Sequence, residues 1–364
     1  MWKCKRLQHA SRDERLSRQQ AAPFDRRSRA CGRTGTSAID CRCGRFGLID
    51  RADRGVAVST RLVVGAFTPS VLLAVARRSG RLDEHGLEVE EVPVPSSPAQ
   101  FRALLAGELD VAFTSPDNVL AYRFSPSNPL GAVADVRIVS SVDRGLGLGL
   151  YGRPGLERAD QLRGAVLGVD VSTSGFALAM YALADSMGVG RDAYELVALG
   201  STPRRVTALL AGECDATMLN AGNELIAEQA GCACLATVAD VCAPYLGTVL
   251  SVAGDNLVGH ARTLATALRL TAGDLRAGRA DAVAVDEAGR LLQLPTALAE
   301  RYVDRLKSPD EGLIGSDEVD LEGLATIVEL RRRFLPETVD GVDVLDRALD
   351  PASGLVASPA GAAT

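Results

Sequence analysis

The sequence lacks several features that would assign it a function directly. Three of its 364 residues are His, and aromatic residues make up 4% of the chain. It has no run of about 18 apolar residues, so no transmembrane segment is expected. Neither C-x-C pair, Cys41/Cys43 or Cys232/Cys234, has the spacing of a zinc site, so no metal ion or cofactor is predicted. The sequence also lacks H-E-x-x-H and P-loop motifs, and no catalytic residue is predicted from it.

Positive charge is concentrated at the start of the chain. Residues 1–56 contain 14 Lys or Arg and 6 Asp or Glu, whereas the whole chain has a net charge of -6. This segment has no apolar periodicity and no apolar core of a secretory signal. It also lacks the interleaved aromatic residues of a nucleic-acid-binding segment, so no nucleic-acid partner is expected. We predict that residues 1–56 are a disordered basic tail or precede the true start.

The remainder has the composition of a globular protein. The chain is 47% apolar and 24% charged, which excludes disorder over most of its length. Eight Cys are present, and we expect those of the body to be reduced and partly buried thiols, which favours a cytoplasmic protein. These four residues are Cys214, Cys232, Cys234 and Cys242.

One phrase occurs twice. ALLAGELDVA at 103–112 returns as ALLAGECDAT at 208–217. Each copy is typical of the last turn of an apolar helix, a Gly stop, and an Asp that leads into a buried strand. We interpret the equivalent residues Asp110 and Asp215 as structural turn residues. The repeat indicates two similar lobes around a shared cleft.

Strand and helix patterns alternate around each copy of the repeat. Strands separated by helices of ten or so residues form parallel sheets with right-handed crossovers. The expected fold class is therefore α/β, with two doubly wound lobes joined by two crossing strands and followed by C-terminal helices. The predicted strands are 61–66, 86–92, 166–171, 194–199 and 215–219, and the predicted helices between them are 69–78, 98–105, 176–187 and 202–210.

Two segments are predicted to cross between the lobes. GLGLGLYG at 145–152 contains G-x-G-x-x-G, but RPG follows where the helix of a dinucleotide site would begin. Its Gly/Leu alternation has the period of a strand instead. YLGTVLSV at 245–252 is predicted to be the second crossing. The predicted organisation is lobe 1 over 57–150, lobe 2 over 151–247, a return to lobe 1 with C-terminal helices over 248–350, and a disordered tail over 351–364.

This organisation resembles the periplasmic binding protein fold of type II. FRALLAGELDVA at 101–112, RPG at 153–155 and LRGAVLGV at 162–169 are similar to the NMT1/THI5-like substrate-binding proteins of nitrate, sulfonate and taurine ABC importers. The resemblance covers about residues 62–349. It implies a small anionic or heteroaromatic ligand, a non-catalytic role, and the permease and ATPase subunits of an importer as partners.

The resemblance also leaves an enzyme as an alternative. Cytoplasmic relatives on the same fold are decarboxylases, dehydratases, desulfinases or proteins of thiamine-pyrimidine formation. A binding protein would be periplasmic or held at the cell surface, whereas an enzyme would be cytoplasmic, and no signal peptide is visible in the sequence. In an enzyme, Asp117 would be the candidate acid or base.

Polar residues follow the predicted strands and can cap the next helices. Ligands bind at the carboxyl ends of such strands, and hydroxyl and N–H groups at helix starts favour anions. Capping alone also explains such residues. Asp117 either complements a helix dipole or binds an amine, and Phe67 and Tyr245 are candidates for packing a ring. The predicted ligand-binding residues are Phe67, Thr68, Ser70, Ser115, Asp117, Asn118, Ser172, Thr173, Ser174, Asn220, Asn223 and Tyr245.

Overall fold

A computed structural model describes residues 59–358. The predicted basic tail, 1–56, and residues 359–364 lie outside the described residues. The strands in chain order are β1 Thr60–Ala66, β2 Leu87–Pro93, β3 Val111–Thr114, β4 Val136–Asp143, β5 Gly149–Gly152, β6 Val166–Val169, β7 Glu195–Ala198, β8 Ala216–Leu219, β9 Ala233–Thr237, β10 Thr248–Ala253, β11 Thr338–Val339 and β12 Val342–Asp343.

Helices connect these strands and cover the sheets. Within residues 59–358 none is long and apolar enough to span a membrane. The helices are α1 Val71–Arg78, α2 Arg81–Glu84, α3 Ser97–Leu105, α4 Pro116–Phe124, α5 Gly175–Ser186, α6 Thr202–Ala211, α7 Asn223–Gln229, α8 Val238–Val241, α9 Val258–Arg276, α10 Asp281–Leu292, α11 Thr296–Lys307 and α12 Leu321–Phe334.

Two five-stranded sheets form the two lobes. Their strand orders are β2-β1-β3-β10-β4 and β7-β6-β8-β5-β9. In each sheet the first three strands are parallel, as predicted, and the last two pairings are antiparallel. The carboxyl ends of the parallel strands therefore lie at one edge of each sheet.

The repeated phrase builds the same turn in both lobes. Gly107 and Gly212 have φ angles of 72° and 75°, which glycine adopts without steric cost, and they end α3 and α6. Asp110 Oδ2 then accepts a 2.7 Å hydrogen bond from Val63 N, and Asp215 Oδ2 accepts one of 2.8 Å from Val166 N. These bonds hold β3 beside β1 and β8 beside β6. The structural interpretation of the two Asp residues is confirmed.

Two crossings connect the lobes, at residues 144–148 and 242–247. Gly145, Leu146 and Gly147 all have positive φ angles. Gly145 N donates a 2.8 Å hydrogen bond to Asp143 Oδ1, and Gly247 N donates one of 2.9 Å to Asp143 O. A Cβ at Gly247 would collide with that Oδ1. Asp143 thus joins the two crossings at the hinge between the lobes.

The C-terminal part differs in two ways from the predicted return to lobe 1. Helices α9 and α10 pack against α1 of the first lobe, whereas α12 packs against both α4 of the first lobe and α5 of the second. Residues 351–358 of the predicted disordered tail are packed against β4. Leu355 O accepts a 2.7 Å hydrogen bond from Ile138 N, and Ala357 N donates one of 2.9 Å to Ile138 O. Burial of Leu355 and Ala357 accounts for this order.

Candidate functional site

A cavity of about 130 Å³ lies between the two lobes. A water needs about 10–15 Å³ on the same measure, so the cavity has room for a small organic molecule. The turns after β1, β3, β6, β7 and β8 contribute to its wall, as the rule for parallel strands predicts. Of the predicted ligand-binding residues, the structure brings together Phe67, Thr68, Ser70, Ser115, Asn118, Ser174 and Asn220.

Three hydroxyl groups in the cavity wall cap three different helices. Ser70 Oγ accepts a 3.2 Å hydrogen bond from Leu73 N, Ser115 Oγ one of 3.3 Å from Asp117 N, and Ser174 Oγ one of 3.2 Å from Ala177 N. Because each oxygen already accepts a bond, each hydroxyl keeps its hydrogen for another partner. The N-termini of α1, α4 and α5 therefore present donors to the cavity, together with the positive ends of their dipoles.

Further donors in the wall were not predicted from the sequence. Ser96 caps α3 through a 3.4 Å hydrogen bond from Ala99 N. Thr114 Oγ1 accepts a 3.0 Å bond from Asn118 Nδ2, so its hydrogen is also free for a ligand. Ser96 was detectable as a cap in the sequence, since SSPAQ places Ser just before a helix that contains Pro in its first turn.

The structure places Asp117 outside the cavity. Both oxygens of its carboxylate accept hydrogen bonds of 3.1 Å from Arg331 Nη1 of α12, and both residues are buried. Burial raises the pKa of Asp117, and the Arg331 guanidinium opposes that shift. The side chain is therefore committed to an ion pair with α12 rather than to a ligand. The sequence left open a structural role at the helix dipole, but it did not predict this ion pair with Arg331.

Four other predicted residues also lie outside the cavity. Ser172 and Thr173 are exposed, and Thr173 lines a separate depression beside Arg331. Asn223 Nδ2 donates a 2.9 Å hydrogen bond to Asn220 O at the start of α7. Tyr245 is buried in the core that includes α5 and α12. The strand β6 ends at Val169, two residues earlier than predicted, which moves Ser172 and Thr173 away from the strand end.

Comparisons with known proteins bear on the fold. No family model matches the sequence, and a search of curated proteins gave no match. A solved ligand-binding component of an ABC-type import system from Staphylococcus aureus, with zinc bound, is 16% identical, with 82% of this chain and 99% of that chain covered and a TM-score of 0.61. The alkanesulfonate-binding protein SsuA from Xanthomonas axonopodis, bound to MOPS, is 18% identical, with 76% and 94% covered and a TM-score of 0.58.

A third structure names the architecture. A Candida albicans protein described as having the generic periplasmic binding protein fold is 15% identical, with 81% of this chain and 95% of that chain covered and a TM-score of 0.59. This chain has the periplasmic binding protein fold. The expectation from the sequence is thereby confirmed for the fold.

Three charged residues line the cleft of this periplasmic binding protein fold. Asp143 is buried at the hinge, and burial raises its pKa to about 6 against the bonds from Thr248 and Gly145. Asp170 follows β6, and Arg205 lies in α6. The sequence did not single out any of them. No group of three or more His, Cys, Asp or Glu in the described part of the chain is arranged to hold a metal ion.

The lobes also touch beside the cavity. A Cβ at Gly175, the first residue of α5, would lie 2.7 Å from Asp117 Cβ and 2.8 Å from Ser115 Oγ. Both neighbours belong to the first lobe, so glycine permits the N-termini of α4 and α5 to meet. The two lobes are therefore in contact beside the cleft in this structure.

Proposed function

We propose that this protein is a solute-binding protein of the NMT1/THI5-like kind. It would capture a small anionic or heteroaromatic molecule in its cleft and deliver it to the permease and ATPase subunits of an ABC importer. The convergence of Ser70, Ser115 and Ser174 supports this proposal most strongly. Capping requires each hydroxyl at its own helix, but it does not require all three to line one cavity that two lobes share.

Ligand binding in such a cleft favours the form in which the lobes are in contact. A ligand shifts a conformational equilibrium by its difference in affinity for the two forms. Here Thr68, Ser70 and Ser115 belong to the first lobe, whereas Ser174 and Asn220 belong to the second. A solute that contacts both groups binds most tightly when the lobes meet. The closed shape can then be recognised by a membrane partner.

The SsuA and Staphylococcus aureus structures are binding components, which is consistent with a non-catalytic role. The test is a thermal-shift screen of the full chain against small carboxylates, sulfonates, phosphates and pyrimidines, followed by calorimetry on those that raise the Tm. A binding protein should return its ligand chemically unchanged, which mass spectrometry after prolonged incubation measures. Conversion of the bound molecule would favour the enzyme instead.

Thr68→Val tests the site with little change of shape. Thr68 lines the cavity, and loss of its hydroxyl should weaken binding about 3- to 10-fold. Thr326→Val on the exposed side of α12 is the matched control and should leave affinity unchanged. Equal affinities in the wild-type and Thr68→Val proteins would place the solute elsewhere.

A further inference from the structure

Arg205 carries a buried positive charge that its own hydrogen bonds do not neutralise. It is 2% exposed and lines the cavity. Nη1 donates a 2.6 Å bond to Gly200 O, Nη2 donates a 3.0 Å bond to Thr202 Oγ1, and Nε and Nη2 donate bonds of 3.4 and 3.2 Å to Met218 O. All these acceptors are neutral. A buried ion without a counter-ion is costly, so the charge calls for an explanation beyond these bonds.

The repeat contains an internal control for Arg205. Equivalent residues of the two phrases differ by 105 in number, so Gln100 is the counterpart of Arg205. Gln100 Nε2 donates 3.0 Å hydrogen bonds to Gly65 O and Phe113 O, and Phe113 is the counterpart of Met218. A neutral amide therefore performs the structural role in the first lobe. The charge in the second lobe is additional to that role.

Asp170 is the second charge that the first lobe lacks. It directly follows β6, as Phe67 directly follows β1, and both residues line the cavity. Asp170 Oδ1 has no hydrogen-bond donor among the described residues. Its negative charge acts on Arg205, where it opposes the lowering of the Arg205 pKa by burial. The second lobe thus brings a cation and an incompletely paired anion to the same cavity wall.

We propose, on the basis of the solute-binding function above, that Arg205 and Asp170 select a small zwitterion, which is a molecule with one acidic group and one ammonium group. The acidic group interacts with Arg205 and the hydroxyl donors at the helix N-termini. The ammonium group donates to Asp170. An acid without nitrogen would leave Asp170 unpaired and facing a like charge, whereas an amine without an acid would face Arg205 and the positive ends of the helices.

Isosteric pairs of probes test this selection. In each pair an ammonium group is exchanged for a methyl group: 2-aminoethanesulfonate against propane-1-sulfonate, 3-aminopropanoate against butanoate, and 4-aminobutanoate against pentanoate. Calorimetry on the full chain should give at least about tenfold tighter binding for the aminated member of the pair that fits the cavity, because a charge-assisted hydrogen bond is lost in the other. Asp170→Asn should reduce this preference to less than about threefold.

Two further variants separate charge from structure. Arg205→Gln imitates Gln100, so the variant should retain the wild-type Tm. Its affinity for the acidic probes should fall about tenfold or more, because the acid group loses its charged partner. Asp192→Asn, at an exposed position of the second lobe, is the control and should change neither affinity nor preference. If nitrogen-free acids bind as tightly as the aminated ones, or if Asp170→Asn retains the preference, the zwitterion is excluded and the solute-binding function stands. If no acid of either class binds, the zwitterion is excluded, and the solute-binding function fails only if the screen of phosphates and pyrimidines also gives no ligand.

Discussion

The first and second lobes differ in the charge that they bring to the cleft, although their strands and turns are arranged alike. At equivalent positions the first lobe has Phe67 and Gln100, and the second has Asp170 and Arg205. The hydrogen bonds that Gln100 and Arg205 donate to the neighbouring strand end are retained in both lobes. The hydrogen bonds that both lobes share are therefore explained by folding, whereas the charges that only the second lobe has indicate ligand recognition.

The two lobes also differ in the number of charged groups that they bring to the cavity. Apart from Asp143 at the hinge, the polar groups that the first lobe contributes to the cavity are uncharged. The second lobe contributes the two charges.

The hinge is not part of the repeat. Substitution of Asp143 at the hinge should produce the largest change in the free energy of unfolding. Its pKa of about 6 in the folded protein exceeds the ordinary value of 3.8, so between these values the folded protein binds more protons than the unfolded chain. The free energy of unfolding therefore falls as pH rises from about 4 to 6. Asp143→Asn should remove up to about 3 kcal/mol of that fall, as urea unfolding at successive pH values measures.

The pH dependence of the free energy of unfolding is the quantity to compare, not its absolute value. Asp143→Asn also places an amide beside the hydrogen-bond donors of Thr248, which changes stability at every pH. Glu224→Gln is a control in the same experiment. Burial raises the pKa of Glu224 to about 7 against the opposing charge of Arg305, so its loss should flatten the curve between about pH 4.5 and 7. Flattening above pH 6 therefore distinguishes Glu224→Gln from Asp143→Asn. Identical curves for the wild-type and Asp143→Asn proteins would mean that Asp143 does not change its ionisation on folding.

Arg205 and Gln100 test the comparison directly. Gln100→Ala and Arg205→Ala each leave a buried strand-end carbonyl without its donor, so each should lower the free energy of unfolding by about 1–3 kcal/mol. Arg205→Gln should cost less than about 1 kcal/mol, because the amide can donate as Gln100 does. Urea unfolding at pH 7 measures all three. A cost of Arg205→Gln equal to that of Arg205→Ala would show that the structural role itself requires the charge.

Much of the fold followed from the sequence, because helix and strand periods and the repeated Gly stops report local structure. The charged part of the site did not. The predicted strand 166–171 included Asp170, whereas β6 ends at Val169 and leaves Asp170 in the turn. Arg205 lies within the first turn of α6, and only its packing against Met218 of β8 reveals that it is buried at the cavity. Asp117 was misplaced because its partner, Arg331, is far away in the sequence.

Asp110 and Asp215 should show the opposite result, since both bind the N–H of a neighbouring strand in the same way. Asp215 Oδ1 also accepts a 2.7 Å bond from Arg153 Nε, but this pair is partly exposed and adds little stability. Asp110→Ala and Asp215→Ala each remove a charge-assisted hydrogen bond from a strand N–H, so each should cost about 1–2 kcal/mol. Because the two sites are in separate lobes, the double variant should cost the sum of the two. Chemical denaturation of the three proteins measures this. A clearly smaller cost in one lobe would show that the repeated turn is not equally needed in both.

Ser96 and Ser201 provide the smallest and most selective contrast. They are counterparts in the repeat and both line the cavity, but Ser96 Oγ accepts a hydrogen bond from Ala99 N whereas the Ser201 side chain makes no capping bond to α6. Ser96→Ala should therefore lower the free energy of unfolding by about 1 kcal/mol, and Ser201→Ala by less than about 0.5 kcal/mol. Solute affinity should change in the reverse order, because the Ser201 hydroxyl has both its hydrogen and its lone pairs available to a ligand. Equal losses of stability, or a larger loss of affinity in Ser96→Ala, would show that the two lobes do not divide folding and recognition in this way.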